Sequence, residues 1–198
     1  YKNFLKLNNN NFITYFVLAF CFMITFKYHL RFNIDRKFHE LNYVEIINSI
    51  DAKEINSKLT GLKWISPYFE DPKQEIDIIN SFLSILKKDK KEKIVITDYN
   101  FISSLLSEKL HSPSRTFDGI SYPSLNNKFY EKYNNFFKNN IVRNKIKNIY
   151  IFYPGYEVTN DYLKHVVFNY LPNNCYELKK LNIYVEKISI KKCEYLTK

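Results

Sequence analysis

The sequence predicts a small α/β domain, a mainly parallel sheet with flanking helices, preceded by one N-terminal transmembrane helix. Three observations predict it. There is an uncharged apolar run near the N-terminus, an alternation of β-branched runs with helix-period segments from about residue 41 onward, and a composition that excludes other classes. The 198 residues include three Gly, six Pro and three Cys, against 18% aromatic residues. That mixture is not collagen-like, not Pro/Gly-rich low complexity, too aromatic for disorder and too poor in Cys for a disulfide scaffold. Residues 1–40 are expected to hold the transmembrane helix, over about 9–28, and a juxtamembrane linker; residues 41–198 are expected to form the soluble α/β domain.

The first element is the run Phe12 to Phe26, fifteen positions without a charge, or nineteen counting Asn8 to Asn11. That length suits a hydrocarbon core of ~30 Å. Lys27, Tyr28 and Arg31 follow as cationic and aromatic anchors do at a membrane–water interface. No small-x-small cleavage site follows, which argues against a signal peptide. Lys2 and Lys6 precede the span, and Lys27, Arg31, Arg36 and Lys37 follow it. Counted alone, these charges place the domain in the cytoplasm. The chain starts with Tyr1 rather than Met, so helices of a longer protein would set the orientation instead.

Asn42 to Ile50 and Lys58 to Ile65 alternate like short strands. Asp71-Pro72-Lys73-Gln74 reads as a helix start, with Asp71 as N-cap, Pro72 in the first position and Gln74 completing a capping box. Ile76, Ile79, Phe82, Leu83 and Leu86 then share one helical face, and lysines 87, 88, 90, 91 and 93 begin in the last turn, where cations suit the helix dipole. Ile94 to Asp98 reads as a buried strand, Phe101 to Leu110 as a helix capped by Asn100, and His111 to Pro123 as a loop. Leu125 to Asn140 reads as a helix, Ile149 to Tyr153 as a second buried strand, Asp161 to Tyr170 as a helix, and Leu181 to Ile190 as a terminal strand.

The net charge of +10 invites a nucleic-acid reading, but only Arg31, Arg36, Arg115 and Arg143 are arginines, and the remaining basic residues are lysines. Readers of nucleic acid lean on Arg for bidentate contacts, and the aromatics near Phe129 to Phe137 fall at core spacing, so no nucleic-acid partner is expected. Ligands of open α/β sheets bind beyond the carboxyl ends of strands, which makes Asp98 and Tyr99 positional candidates. The loop holding Ser112, Ser114, Arg115 and Asp118 is the densest polar cluster; Arg115 there is suited either to clamping a phosphate or carboxylate or to pairing with Asp118. There is no G-x-G-x-x-G and no Walker A pattern, and the four histidines show no metal spacing, so no cofactor and no metal is expected. No nucleophile–base pair is legible. Cys175 and Cys193 flank the last strand and are candidates for a disulfide in an oxidising compartment.

The segments GLKWISP (Gly61 to Pro67), DPKQEI (Asp71 to Ile76), IVITDYNF (Ile94 to Phe101) and SPSRTFDGISYP (Ser112 to Pro123) together resemble the tail after the last transmembrane helix of bacterial polytopic membrane glycosyltransferases of the C-type superfamily. The resemblance spans roughly residues 12–190. The Trp-Tyr-Asp type of loop expected there stands here as Thr116-Phe117-Asp118, a partial departure. The resemblance implies a bacterial inner-membrane location, a periplasmic domain capping the active-site cavity, and partners in membrane lipid, the upstream transmembrane region, a polyprenyl-phosphate sugar and an acceptor glycan. The family's catalytic carboxylate lies in an early loop with no counterpart here, so no catalytic residue carries over and no turnover by this chain alone is expected. Asp98, Arg115 and Asp118 become the residues to test. The alternative expectation is a single-pass membrane-anchored α/β binding module.

Overall fold

A computed structural model describes residues 11–34, 46–114, 121–155 and 157–197. Helix α1 runs from Asn11 to His29 and continues as a π-helical turn over Leu30–Ile34. The span Ile13–Asn33 has a mean hydropathy of 1.5 and no buried residue. Phe16, Val17, Leu18 and Phe26, spread around the helix at 100° per residue, are all exposed, so apolar surface surrounds the helix instead of forming one stripe. In water such a surface is unfavourable; by length and composition this helix could cross a membrane, and a core helix or an N-terminal signal sequence has the same character.

The domain opens with a two-stranded antiparallel ribbon, β1 (Ile50–Asp51) and β2 (Lys63–Trp64), pairing Ile50 with Trp64. The longer strands expected over 42–50 and 58–65 shrink to these two-residue pieces; positions 42–45 lie outside the described residues. Between them the chain makes two 3₁₀ turns, at Ala52–Glu54 and Ser57–Leu59. Asp51 and Asn56 cap these turns by accepting from the backbone N–H groups of Lys53 and Lys58. Short polar side chains offer the backbone a local partner and so compete with strand pairing. Gly61 follows at φ +85°, a conformation that favours glycine.

Helix α2 (Pro72–Lys88) is capped as the sequence predicts by Asp71, which accepts from Lys73 N–H at 2.9 Å, with Pro72 in the first turn. Its buried stripe is Ile76, Ile79, Phe82, Leu83 and Leu86, with Glu75 added. The helix ends at Asp89, whose N–H reaches the carbonyls of Ile85 and Leu86 before the backbone turns extended. It leads into β3 (Lys93–Ile96), buried at every position, as is β4 (Asn148–Phe152). Strands covered on both faces read as continuous apolar runs, and these two do from Ile94 and Ile149 onward, after a buried Lys93 and Asn148.

Between them lie a short α3 (Ile102–Leu106) and α4 (Tyr130–Arg143). Helix α3 is shorter than the expected 101–110 and has no side-chain cap from Asn100; Ser107 ends it at φ 54°. After β4, α5 (Asn160–Leu163) passes into a π-helical turn at Lys164–Phe168. The chain closes with a hairpin, β5 (Tyr176–Asn182) and β6 (Val185–Ile190), and a final turn of helix α6 (Glu194–Thr197).

The sheet order is β3-β4-β6-β5. Only β3 and β4 are parallel; β4–β6 and β6–β5 are antiparallel. The sheet is therefore mixed, not mainly parallel. The physical reason is the terminal hairpin, which inserts β6 beside β4 in reverse direction. Its Ile183-Tyr184 turn is fixed by Asn182 Oδ1, which accepts from Tyr184 N–H at 2.8 Å. Helices α2 and α3 cover one face through Phe82, Val95, Ile102, Tyr150 and Phe152, and α4 and α5 cover the other through Ile96, Phe137, Ile151 and Leu163. Cys175 and Cys193 form a disulfide on the second side, across 18 positions, joining the approach to β5 to the chain leaving β6. Closing a span of that length removes about 3 kcal/mol of freedom from the unfolded chain.

Candidate functional site

The carboxyl ends of β3 and β4 are where an α/β sheet presents a ligand site. Here that end is filled by the protein's own side chains. Glu75, 1% exposed on the first turns of α2, accepts from Trp64 Nε1 at 2.9 Å and from the Tyr99 hydroxyl. Trp64 stacks on Tyr99 at 6.3 Å between centroids and meets Phe101 edge-on at 5.6 Å. Tyr99 also leans on Phe152, the last residue of β4. Burial, reinforced by the Glu75 carboxylate, pushes the Tyr99 hydroxyl far above its ordinary range. Tyr99 therefore keeps its proton and is a donor to Glu75.

Three of the segments quoted for the family resemblance meet in this knot: Trp64 from the first, Glu75 from the second, Tyr99 and Phe101 from the third. Ser66 extends it, nearly buried, with its Oγ accepting from the N–H groups of Tyr68 and Phe69. The Tyr68 ring in turn lies over Gly155, where a Cβ would come within 2.8 Å of it. These residue types at these positions are accounted for by packing and hydrogen bonding.

Beside the knot, a cavity of about 330 Å³ runs along the outer edge of β3. The chain after α3 folds back there, with Leu110 C=O accepting from Val95 N–H at 3.1 Å and Ser112 Oγ donating to Val95 C=O. Lys93 reaches Glu108 at 2.9 Å, and His111 Nε2 lies 3.2 Å from Glu92. Tyr99 and Ser112 both line this cavity. Asp98 is exposed at the strand end, close enough to Tyr122 to add to the burial that raises that phenol. Arg115 and Asp118 lie outside the described residues, as does Thr116-Phe117-Asp118, so the structure places neither the clamp nor the ion pair expected there. Among the described residues no cluster of three His, Cys, Asp or Glu side chains has the geometry to hold a metal ion.

Glu75 was not among the residues the sequence singles out. Its signal was present: positions 75, 79, 82 and 86 share one helical stripe, and an acid within an apolar stripe marks a buried, partnered carboxylate. Trp64 lies in the GLKWISP segment, where nothing in the sequence alone gives it a role. Compared with protein-family models, characterised proteins and solved structures, this chain matches none.

Proposed function

We propose that this chain is an α/β binding module held to a membrane by α1, with its domain on the oxidising side. The observation that carries the reading is the uncovered helix: the apolar span Ile13–Asn33 has no buried residue and is exposed from Ile13 to His29, while the sheet closes two cores without it. Removing that much apolar surface from water is worth roughly 25 cal/mol per Å², far more than a few surface contacts supply. The Cys175–Cys193 bridge supports the oxidising side, where such bonds persist. At the strand ends, Tyr99, Glu75 and Ser112 are committed to internal partners, which favours binding over turnover.

The test is alkaline carbonate extraction of membranes carrying the full chain. The chain is expected in the membrane pellet, and a variant with Phe20→Lys and Met23→Lys in the supernatant. Release of the unaltered chain into the supernatant would overturn the anchor. The reading of this domain as the tail of a lipid-linked-sugar glycosyltransferase stands on the short motifs alone. Sugar transfer from a polyprenyl-phosphate sugar by this chain would displace the binding-module reading.

A further inference from the structure

A second concavity, of about 460 Å³, opens between the C-terminal turn of α2 and the face of β5 and β6. Across the sheet, Tyr150 of β4, Lys187 of β6 and Lys179 of β5 stand in one register row. The half-buried Lys187 ammonium lies 5.6 Å from the Tyr150 ring centroid. Lys88 closes the groove from the helix, and Leu181 gives it an apolar floor.

Two like charges directly opposite on neighbouring strands repel. Elsewhere in this sheet the lysines have carboxylates at hand: Lys93 has Glu108 and Lys180 has Glu157. Among the described residues, Lys88, Lys179 and Lys187 have none within 4.0 Å. Asp89 lies at the groove edge, but both of its oxygens accept from protein groups, one from Tyr150 and Asn148 and the other from Lys91 N–H. Asp89 and the negative end of α2 together offset about half of the three positive charges, which leaves the groove positive.

We infer that this groove binds a phosphate-bearing anion, seated across Lys179 and Lys187, with any organic portion on Leu181 and Tyr150. Lysine serves as a point-charge partner for phosphate, and a dianion there turns a repulsive pair into two attractions. The inference gives a ligand class to the binding role proposed above and rests on that role, but not on the anchor, since every groove residue lies between positions 85 and 187. The phosphate has two sources, a lipid headgroup or a soluble molecule.

The test reads amine acetylation at each lysine by mass spectrometry, with the full chain reconstituted in phosphatidylcholine vesicles. One arm adds inorganic phosphate against chloride at equal ionic strength; the other adds phosphatidic acid to the vesicles. At a probe concentration twice its Kd, Lys179 and Lys187 should react about threefold more slowly, with Lys73 and Lys132 unchanged. Slowing by inorganic phosphate assigns a soluble ligand, and slowing by phosphatidic acid alone assigns a lipid headgroup. In Lys187→Met, protection of Lys179 should disappear. No slowing with either probe, equal slowing at all lysines, or protection of Lys179 that survives Lys187→Met would each overturn the site. Failure of carbonate extraction would remove the anchor and leave this result standing.

Discussion

At the N-terminal end of α2, Glu75 is sealed from water and its oxygens are taken by the Trp64 indole and the Tyr99 hydroxyl. At the C-terminal end, Asp89 is also bonded, by Tyr150 at 2.7 Å and Asn148 at 2.5 Å, but it faces a groove whose lysines have no carboxylate within 4.0 Å among the described residues. The first end carries the positions that fold-level reasoning favours, and its chemistry is spent on holding the sheet. The second carries charge that the fold compensates only in part. A committed polar group reports stability; excess charge on an open surface points outward to a ligand.

The largest effect expected is at the sealed end. Glu75→Ala leaves two half-buried donors without their acceptor and should cost about 2–3 kcal/mol in urea unfolding. Glu75→Gln keeps the size and one acceptor and should cost about half as much. A loss below about 1 kcal/mol for Glu75→Ala would mean that water serves those donors and that the end is not sealed.

At the open end Asp89→Asn should cost about 1–2 kcal/mol at neutral pH, a value set by its three hydrogen bonds and reduced for its partial access to water. Burial raises the Asp89 carboxyl, but the bonds from Tyr150, Lys91 N–H and Asn148 and the charge of Lys187 outweigh it, so its value lies below the ordinary 3.8. Its stabilisation is therefore full above that ordinary value and lost as pH falls through the lowered one. Unfolding measured against pH should show this acid limb in the unaltered chain and a shallower one in Asp89→Asn.

On the opposite face of the sheet, Glu186 carries a buried Oε2 with no hydrogen-bond partner among the described residues. Burial raises its carboxyl above 4.5; Lys180 opposes the shift and Glu157 adds to it. Its contribution has the reverse sign: it is full below the ordinary value and lost as pH rises through the raised one. Glu186→Gln should therefore stabilise at neutral pH, by up to about 1 kcal/mol, and leave stability nearly unchanged at pH 4. The smallest effect is at the lysine row. Lys179→Met should stabilise by about 0.5 kcal/mol at low salt without an anion, and the gain should fade as salt screens the repulsion.

Much of this fold was legible in the residues. The Asp71-Pro72 start, the Ile76 to Leu86 stripe and the two β-branched runs locate α2, β3 and β4 within a residue or two. The hairpin was not, because Glu177, Leu178, Lys179 and Lys180 are all exposed on an edge strand and show no apolar alternation, and Ile183-Tyr184 lacks a glycine turn signal. Missing it turned a mixed sheet into an expected parallel one. The site was legible only as a position: Asp98 and Tyr99 do stand at a strand end, but which partner takes a hydroxyl is decided by a helix more than twenty residues away. The lysine row was hidden for the same reason. Lys179 and Lys187 read as solvated lysines until the register places them side by side.

The most direct test of this account is urea unfolding of the full chain in detergent micelles, with inorganic phosphate against sodium chloride at matched ionic strength. At ten times its Kd, phosphate should stabilise the unaltered chain by about 1.4 kcal/mol and leave Lys187→Met unmoved. Equal stabilisation of both proteins, or of neither, would contradict the open end of α2 as an anion site.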